Sequence, residues 1–254
     1  MPETLKLKGE DMRKFTLLAL LIPIVLCGCA TQRSVSNSEY YPGGNNGHGG
    51  DNPLYKGELS EFDVLGIDQG KEITEQDINA AVSDRKERLS LRKGESLLLI
   101  QSGAMIPEQE MTENMGKYFS VSVFTGVPGQ GKKADTSYAK ALRLAAAKAG
   151  IDKILVYWGM METETKDLAT KNVSWVPIVG WAIPDQTQVI RIRLKVALVD
   201  VKSGQWEIFV PKVFEDTAYS ASLDRDHSDQ QQVAQLKSKV YQAAVESIIA
   251  RYMR

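Results

Sequence analysis

Sulfur and imidazole are scarce in this chain: of 254 residues, two are cysteine and two are histidine. Cys27 and Cys29 stand one residue apart, with no third cysteine to pair with. On their own they leave three readings open: a disulfide, a metal site, or a modification of the chain. Histidine adds no metal site, because there is no H-E-x-x-H, and His48 and His227 lie at no ligand spacing from each other or from a cysteine. Net charge is also missing. Thirty-one Lys and Arg against 32 Asp and Glu give a formal charge of −1, without the basic excess of a nucleic-acid binder, so no nucleic-acid partner is expected. No G-x-S-x-G turn presents a nucleophile. His227, in "DRDHSDQQQ", is read as part of a polar loop before a helix cap. The expectation is a protein that is not an enzyme and holds no cofactor and no metal.

What the chain does have begins near its amino end. "MRKFTLLALLIPIVLCGC" opens with Met12, Arg13 and Lys14 and continues as an apolar stretch from Phe15 to Leu26. That stretch is well short of the ~20 residues that cross a bilayer as a helix. A basic start, a short apolar run and a small residue at the break make a secretory signal. Met12 is read as the true initiator, with residues 1–11 adding nothing a signal needs.

The end of that signal, Leu26-Cys27-Gly28-Cys29, resembles the bacterial lipobox. The resemblance implies cleavage between Gly28 and Cys29, an S-diacylglycerol on Cys29 and an acyl group on its freed amine. Cys27 stands where Ala, Ser or Thr is commoner, and it would leave with the signal, so the resemblance implies a mature chain with no free thiol for a disulfide or a cysteine metal site. Two anchors of this kind hold a protein stably on a membrane, whereas one chain is marginal. By the sorting rule that comes with the resemblance, Ala30 after the cysteine implies the outer membrane.

Residues 29–57 then read as a lipidated cysteine and a flexible tether, rich in Gly, Asn and Ser. As a coil this stretch would span ~30 Å. His48, in "NNGHGG", is read as one more solvated residue. A single α/β domain is expected over 58–254: a mixed sheet with packed helices, a long antiparallel hairpin and a C-terminal helix. Thr74 to Asp77 reads as a helix cap leading into a helix that Gly94 ends. "SLLLIQ", 96–101, reads as a buried strand, and Pro107 opens a short helix. "YFSVSVFTG" alternates as a strand with one polar face. Tyr138, Ala141, Leu142, Ala145 and Ala149 fall on one helical stripe that Gly150 terminates.

"QVIRIRLKVALVDV" alternates cleanly, with Ile190, Ile192, Leu194, Val196 and Leu198 opposite Arg191, Arg193 and Lys195. "KSGQ" turns it into "WEIFVPKVF". Ser228 to Gln231 reads as the cap of a last helix, with Val233, Leu236, Val240, Ala244, Ile248 and Tyr252 as its apolar stripe.

The helix and strand before the "LVDVKSG" hairpin resemble curli-secretion and penicillin-binding-protein-activator type lipoprotein domains. A wider resemblance rests on "LLLIQSGAMIPEQEMTENMGKYFSVSVFTGVP", "ALRLAAAKAG", "LVDVKSGQW" and "LKSKVYQAAVESIIARY". These are similar to the YafT-like lipoproteins of enteric bacteria, a resemblance that implies the address and the fold and brings no activity with it.

Two stretches invite more. Gly126 to Lys132 matches G-x-x-x-x-G-K, but Lys133 stands where a phosphate loop needs a hydroxyl for Mg²⁺. It is read as a Gly-rich loop. "NVSWVPIVGWAIPDQ", 172–186, places Trp175, Pro177, Ile178 and Trp181 where a connection should be polar. It is either a lid on its own core or an exposed contact surface. The expected function is a non-catalytic outer-membrane lipoprotein, its body in the periplasm, that binds or scaffolds an envelope protein. The alternatives are an assembly or membrane-inserting component using 172–186 and, behind it, an envelope hydrolase.

Overall fold

A computed structural model describes residues 29–37, 52, 54–68, 70, 72–84, 88–129, 137–167, 186–220 and 225–253. The signal (1–28), His48, Lys132, Trp175, Pro177, Ile178 and Trp181 lie outside these described residues, as do all of 172–185. So does the side chain of His227.

In chain order the elements are β1 (Cys29–Ser34), a single 3₁₀ turn (Val35–Asn37), α1 (Glu61–Leu65), α2 (Glu75–Ser83), β2 (Ser96–Gln101), α3 (Gln109–Gly116), β3 (Ser120–Phe124), α4 (Ser137–Lys148), β4 (Lys153–Asp167), β5 (Gln186–Asp200), β6 (Trp206–Phe209), β7 (Phe214–Ser220) and α5 (Arg225–Tyr252). All seven strands form one mixed sheet, ordered β3-β2-β4-β5-β6, with β1 also on β4 and β7 also on β5.

The spine of that sheet is the β4–β5 hairpin, paired antiparallel from Lys153↔Asp200 to Asp167↔Gln186. Short strands flank it at both ends. β2 runs parallel to residues 153–157 of β4, and β1 runs antiparallel to 160–165 on the same side. Across the hairpin, β6 pairs with 196–199 of β5 and β7 with 186–192.

The alternation of β5 decides which face is which. Ile190, Ile192, Leu194, Val196 and Leu198 are each at most 2 % exposed and pack with Leu97, Leu99, Leu155 and Tyr157 beneath α3 and α5. Each such side chain contributes about 1.5–3 kcal/mol on burial. From α5, Leu236, Val240, Ala244, Ile248 and Tyr252 supply the other half of this layer, together with Tyr241 and Val245. On the opposite face Leu98, Ile100, Ile154, Val156 and Val199 pack against Leu142 and Ala146 of α4 and Val64 of α1.

Several local readings change. The helix begun by the Thr74–Asp77 capping box is as expected at its start, yet it stops at Ser83 and buries no residue; with no core to pack on, only local capping holds it. The buried stripe of α4 is Ala139, Leu142 and Ala146, and Ala141 and Ala149 are exposed. α5 begins at Arg225, ahead of the expected Ser228 cap, so His227 lies on helical backbone. The return strand of the second hairpin is split into β6 and β7, which pair with opposite ends of β5.

The largest correction concerns the tether. Residues 29–34 are a sheet strand, and Val35 and Ser36 are buried. Val35 is 1 % exposed and belongs to the main core, which gives a short arm enough apolar burial to dock.

Candidate functional site

β2, β3 and β4 run parallel in the order β3-β2-β4. The connection through α3 crosses one face of the sheet and the one through α4 crosses the other. Their carboxyl ends therefore diverge beside β2, at Gln101 and Ser102. In an open α/β sheet, a crevice at such a point is where ligands bind.

Here the chain fills that place itself. Gln101 Nε2 donates to Ser36 Oγ at 3.0 Å, and Ser36 Oγ donates to the Ser102 carbonyl at 2.6 Å. Ser102 Oγ accepts from the Leu59 amide at 2.7 Å, and Trp158 Nε1 donates to the Leu59 carbonyl at 2.8 Å. Tyr157 donates to Gln101 Oε1 at 2.6 Å, which also accepts from the Glu108 amide at 2.8 Å. Gln101 and Ser102 are at most 2 % exposed. Beside them, Glu58 Oε1 accepts from Ser34 and from Tyr55 at 3.4 Å. Burial first, and then the Glu58 carboxylate, push the Tyr55 hydroxyl above its ordinary pKa.

The Gly-rich run after β3 is part of the same closure. Gly126 is buried, its carbonyl accepts from Gly103 N at 2.9 Å, and its amide donates to Ala104 O at 2.8 Å. A Cβ on Gly126 would fall 1.8 Å from the Gln101 carbonyl oxygen. The first glycine of the phosphate-loop pattern is thus needed for backbone contact with the neighbouring loop.

Two shallow depressions are better formed than the closed crevice. One, of about 150 Å³, is lined by Asn114, Lys117, Tyr118, Gln242, Val245 and Glu246. The other, of about 180 Å³, lies between β1, β4 and β5 at Gln32, Glu162, Glu164 and Arg191. Small-molecule sites usually enclose ~300 Å³ or more. Among the described residues, no three His, Cys, Asp or Glu side chains gather as metal ligands.

The polar stripe of β5 meets carboxylates along its length. Arg191 bonds Glu162 at 3.2 Å and also pairs with Glu215, Arg193 reaches Glu162 at 3.3 Å, and Lys195 pairs with Glu61. The Glu215 hydrogen bond and charge, followed by those of Glu162, raise the Arg191 pKa above its ordinary value.

Cys29 is the first residue of β1 and lies opposite Thr165, two residues short of the end of β4. Sequence reasoning singled out Cys29 but placed it on a free coil. It missed Ser36, Glu58, Gln101 and Ser102 altogether. The one available signal was Val35, a lone aliphatic in the polar run "ATQRSVSNSEYY".

The architecture is an α/β domain entered through an N-terminal cysteine arm that is itself a strand of the sheet. The chain belongs to the YafT bacterial lipoprotein family, whose model matches residues 60–251. No curated protein matches it. Membership makes it a bacterial lipoprotein and points to a membrane-anchored place in the cell envelope. Among the described residues no helix is long and apolar enough to cross a membrane.

Proposed function

We propose that the protein is a non-catalytic outer-membrane lipoprotein, acylated at Cys29, whose periplasmic body binds or scaffolds another envelope protein. The observation that carries this reading is the filled crevice at Gln101 and Ser102, where Ser36 and Leu59 occupy the place of a ligand. The paired cations of β5 support the absence of nucleic acid from the list of partners, since each already meets a carboxylate. Ala30 after the cysteine supports the outer membrane. An assembly role for 172–186 is the second reading; its support is that both strand ends flanking that segment, Asp167 and Gln186, lie at the Cys29 end of the sheet.

The test combines mass spectrometry of the mature amino terminus with density separation of inner and outer membranes and in-cell crosslinking. An acylated Cys29, outer-membrane density and a discrete protein crosslink are expected, and Cys29→Ser should abolish the first two. A Cys29→Ser chain that is still cleaved after Gly28 and still sediments with membranes overturns the anchor. Hydrolytic activity of the purified body that disappears in Glu58→Gln overturns the non-catalytic reading.

A further inference from the structure

A lipoprotein on a free tether takes every orientation above its membrane. This chain has no such freedom between its cysteine and its sheet. Cys29 pairs with Thr165, Ala30 with Glu164 and Gln32 with Glu162, and Val35 is locked into the core immediately afterwards. Opposed residues of antiparallel strands lie ~4.5–5.5 Å apart, so an acylated Cys29 is held within that distance of β4. A coil of the length first expected would have allowed a standoff of ~30 Å.

The register also says which end is held. β4 ends at Asp167 and β5 starts at Gln186, paired with each other, two residues beyond the level of Cys29. Those ends are therefore ~7 Å from that level along the sheet. The other end of the hairpin, Lys153↔Asp200, lies 14 pairs away from Asp167↔Gln186, or ~46 Å at ~3.3 Å per residue. α5 runs the same length. The Tyr252 carbonyl accepts from the Leu91 amide and the Tyr252 ring meets Phe209 of β6 edge-on at the far end, so Arg225 is at the end that holds Cys29.

From these relations we propose that the end of the sheet made by β1, β7 and the Asp167–Gln186 pair is a bilayer-facing surface, seated directly on the membrane that takes the anchor. This rests on acylation of Cys29. The domain stands on this end of the sheet with its long axis away from the membrane, and turns the β5–β6 turn and the end of α4 away from the bilayer.

The experiment uses the mature acylated chain in phosphatidylethanolamine–phosphatidylglycerol vesicles. Acylation consumes Cys29 and cleavage removes Cys27, so one introduced cysteine is the only free thiol. Thr187→Cys and Glu164→Cys mark the near end, and Lys202→Cys and Lys148→Cys the far end. Each carries a donor dye, and energy transfer to an acceptor on the lipid headgroup is read.

Transfer several-fold stronger from both near positions than from both far positions is expected. Equal transfer from all four, in protein whose Cys29 is shown by mass to be acylated, overturns the orientation and leaves the anchor standing. Stronger transfer from the far pair overturns it as well. Unacylated Cys29 in the mature chain defeats the anchor and this inference together, so the two failures are told apart by mass before any transfer is read.

Discussion

A Cβ placed on Gly159 would lie 2.7 Å from Cγ2 of Val35 and 2.8 Å from its Cβ. The glycine is what lets the N-terminal arm settle on β4. Gly159→Val should therefore expel the arm while leaving the α3–α5 core in place, at about 1–3 kcal/mol for overpacking. Hydrogen exchange followed by mass spectrometry should show residues 29–37 losing protection and residues 97–100 keeping it. Unchanged protection of the arm would show that this contact does not govern its docking.

Lys237 of α5 donates to Glu108 at 2.9 Å, with side chains 11 % and 7 % exposed. Breaking such a pair from one side strands a charge in the interior. Lys237→Met alone should cost about 3–5 kcal/mol, and adding Glu108→Met should recover most of the loss. Urea melts of the two variants decide this. A double variant as unstable as the single one would place the cost in packing.

Asp200 contributes on the acid side. Burial alone would push its carboxyl up, but the Ser203 hydroxyl and amide, both at 2.7 Å, and Lys153 at 2.9 Å outweigh it and hold the pKa at about 2. Because the folded value lies below the unfolded one, the contribution is present above pH ~4 and lost as pH falls toward 2. Asp200→Asn should cost about 1 kcal/mol at pH 7 after solvent screening. Melts of the two proteins should converge near pH 2.

Tyr252 acts at the alkaline side. Burial and then the Glu207 carboxylate raise its hydroxyl to about 12, against the opposing Arg251 charge. A raised folded value means stability that is full below pH ~10 and lost as pH climbs through 12. Tyr252→Phe should match the native protein at pH 7 and exceed it by about 1–2 kcal/mol near pH 12. A variant that melts with the native protein across pH 9–12 would remove Tyr252 from the alkaline transition.

The clearest expectations came from segments whose pattern has one physical solution. The alternation of Ile190, Ile192, Leu194, Val196 and Leu198 puts them on one side of a strand, and the every-fourth-residue run Leu236, Val240, Ala244, Ile248 and Tyr252 lies on one stripe of a helix; both sets are buried as read. The lipobox pattern at Cys29 is local and is read without any tertiary partner. β1 is not, since Cys29–Ser34 is polar and its strand character comes from β4, far along the chain. The crevice at Gln101 escaped for the same reason: Ser36, Leu59 and Ser102 meet only after the sheet has formed.

Thr31 and Thr163, bonded through their hydroxyls, are 132 positions apart. A chain made from its amino end delivers β1 first and its partner much later, so β1 cannot be placed until residues 160–165 have been made. The earliest strand to appear is thus one that must wait for its partner. Until then the segment bearing Cys29 is loose chain, open to enzymes that work on extended peptide. Afterwards the same residues are one edge of a finished sheet. The interval between the making of β1 and the making of its partner is when the amino end is open to be worked on.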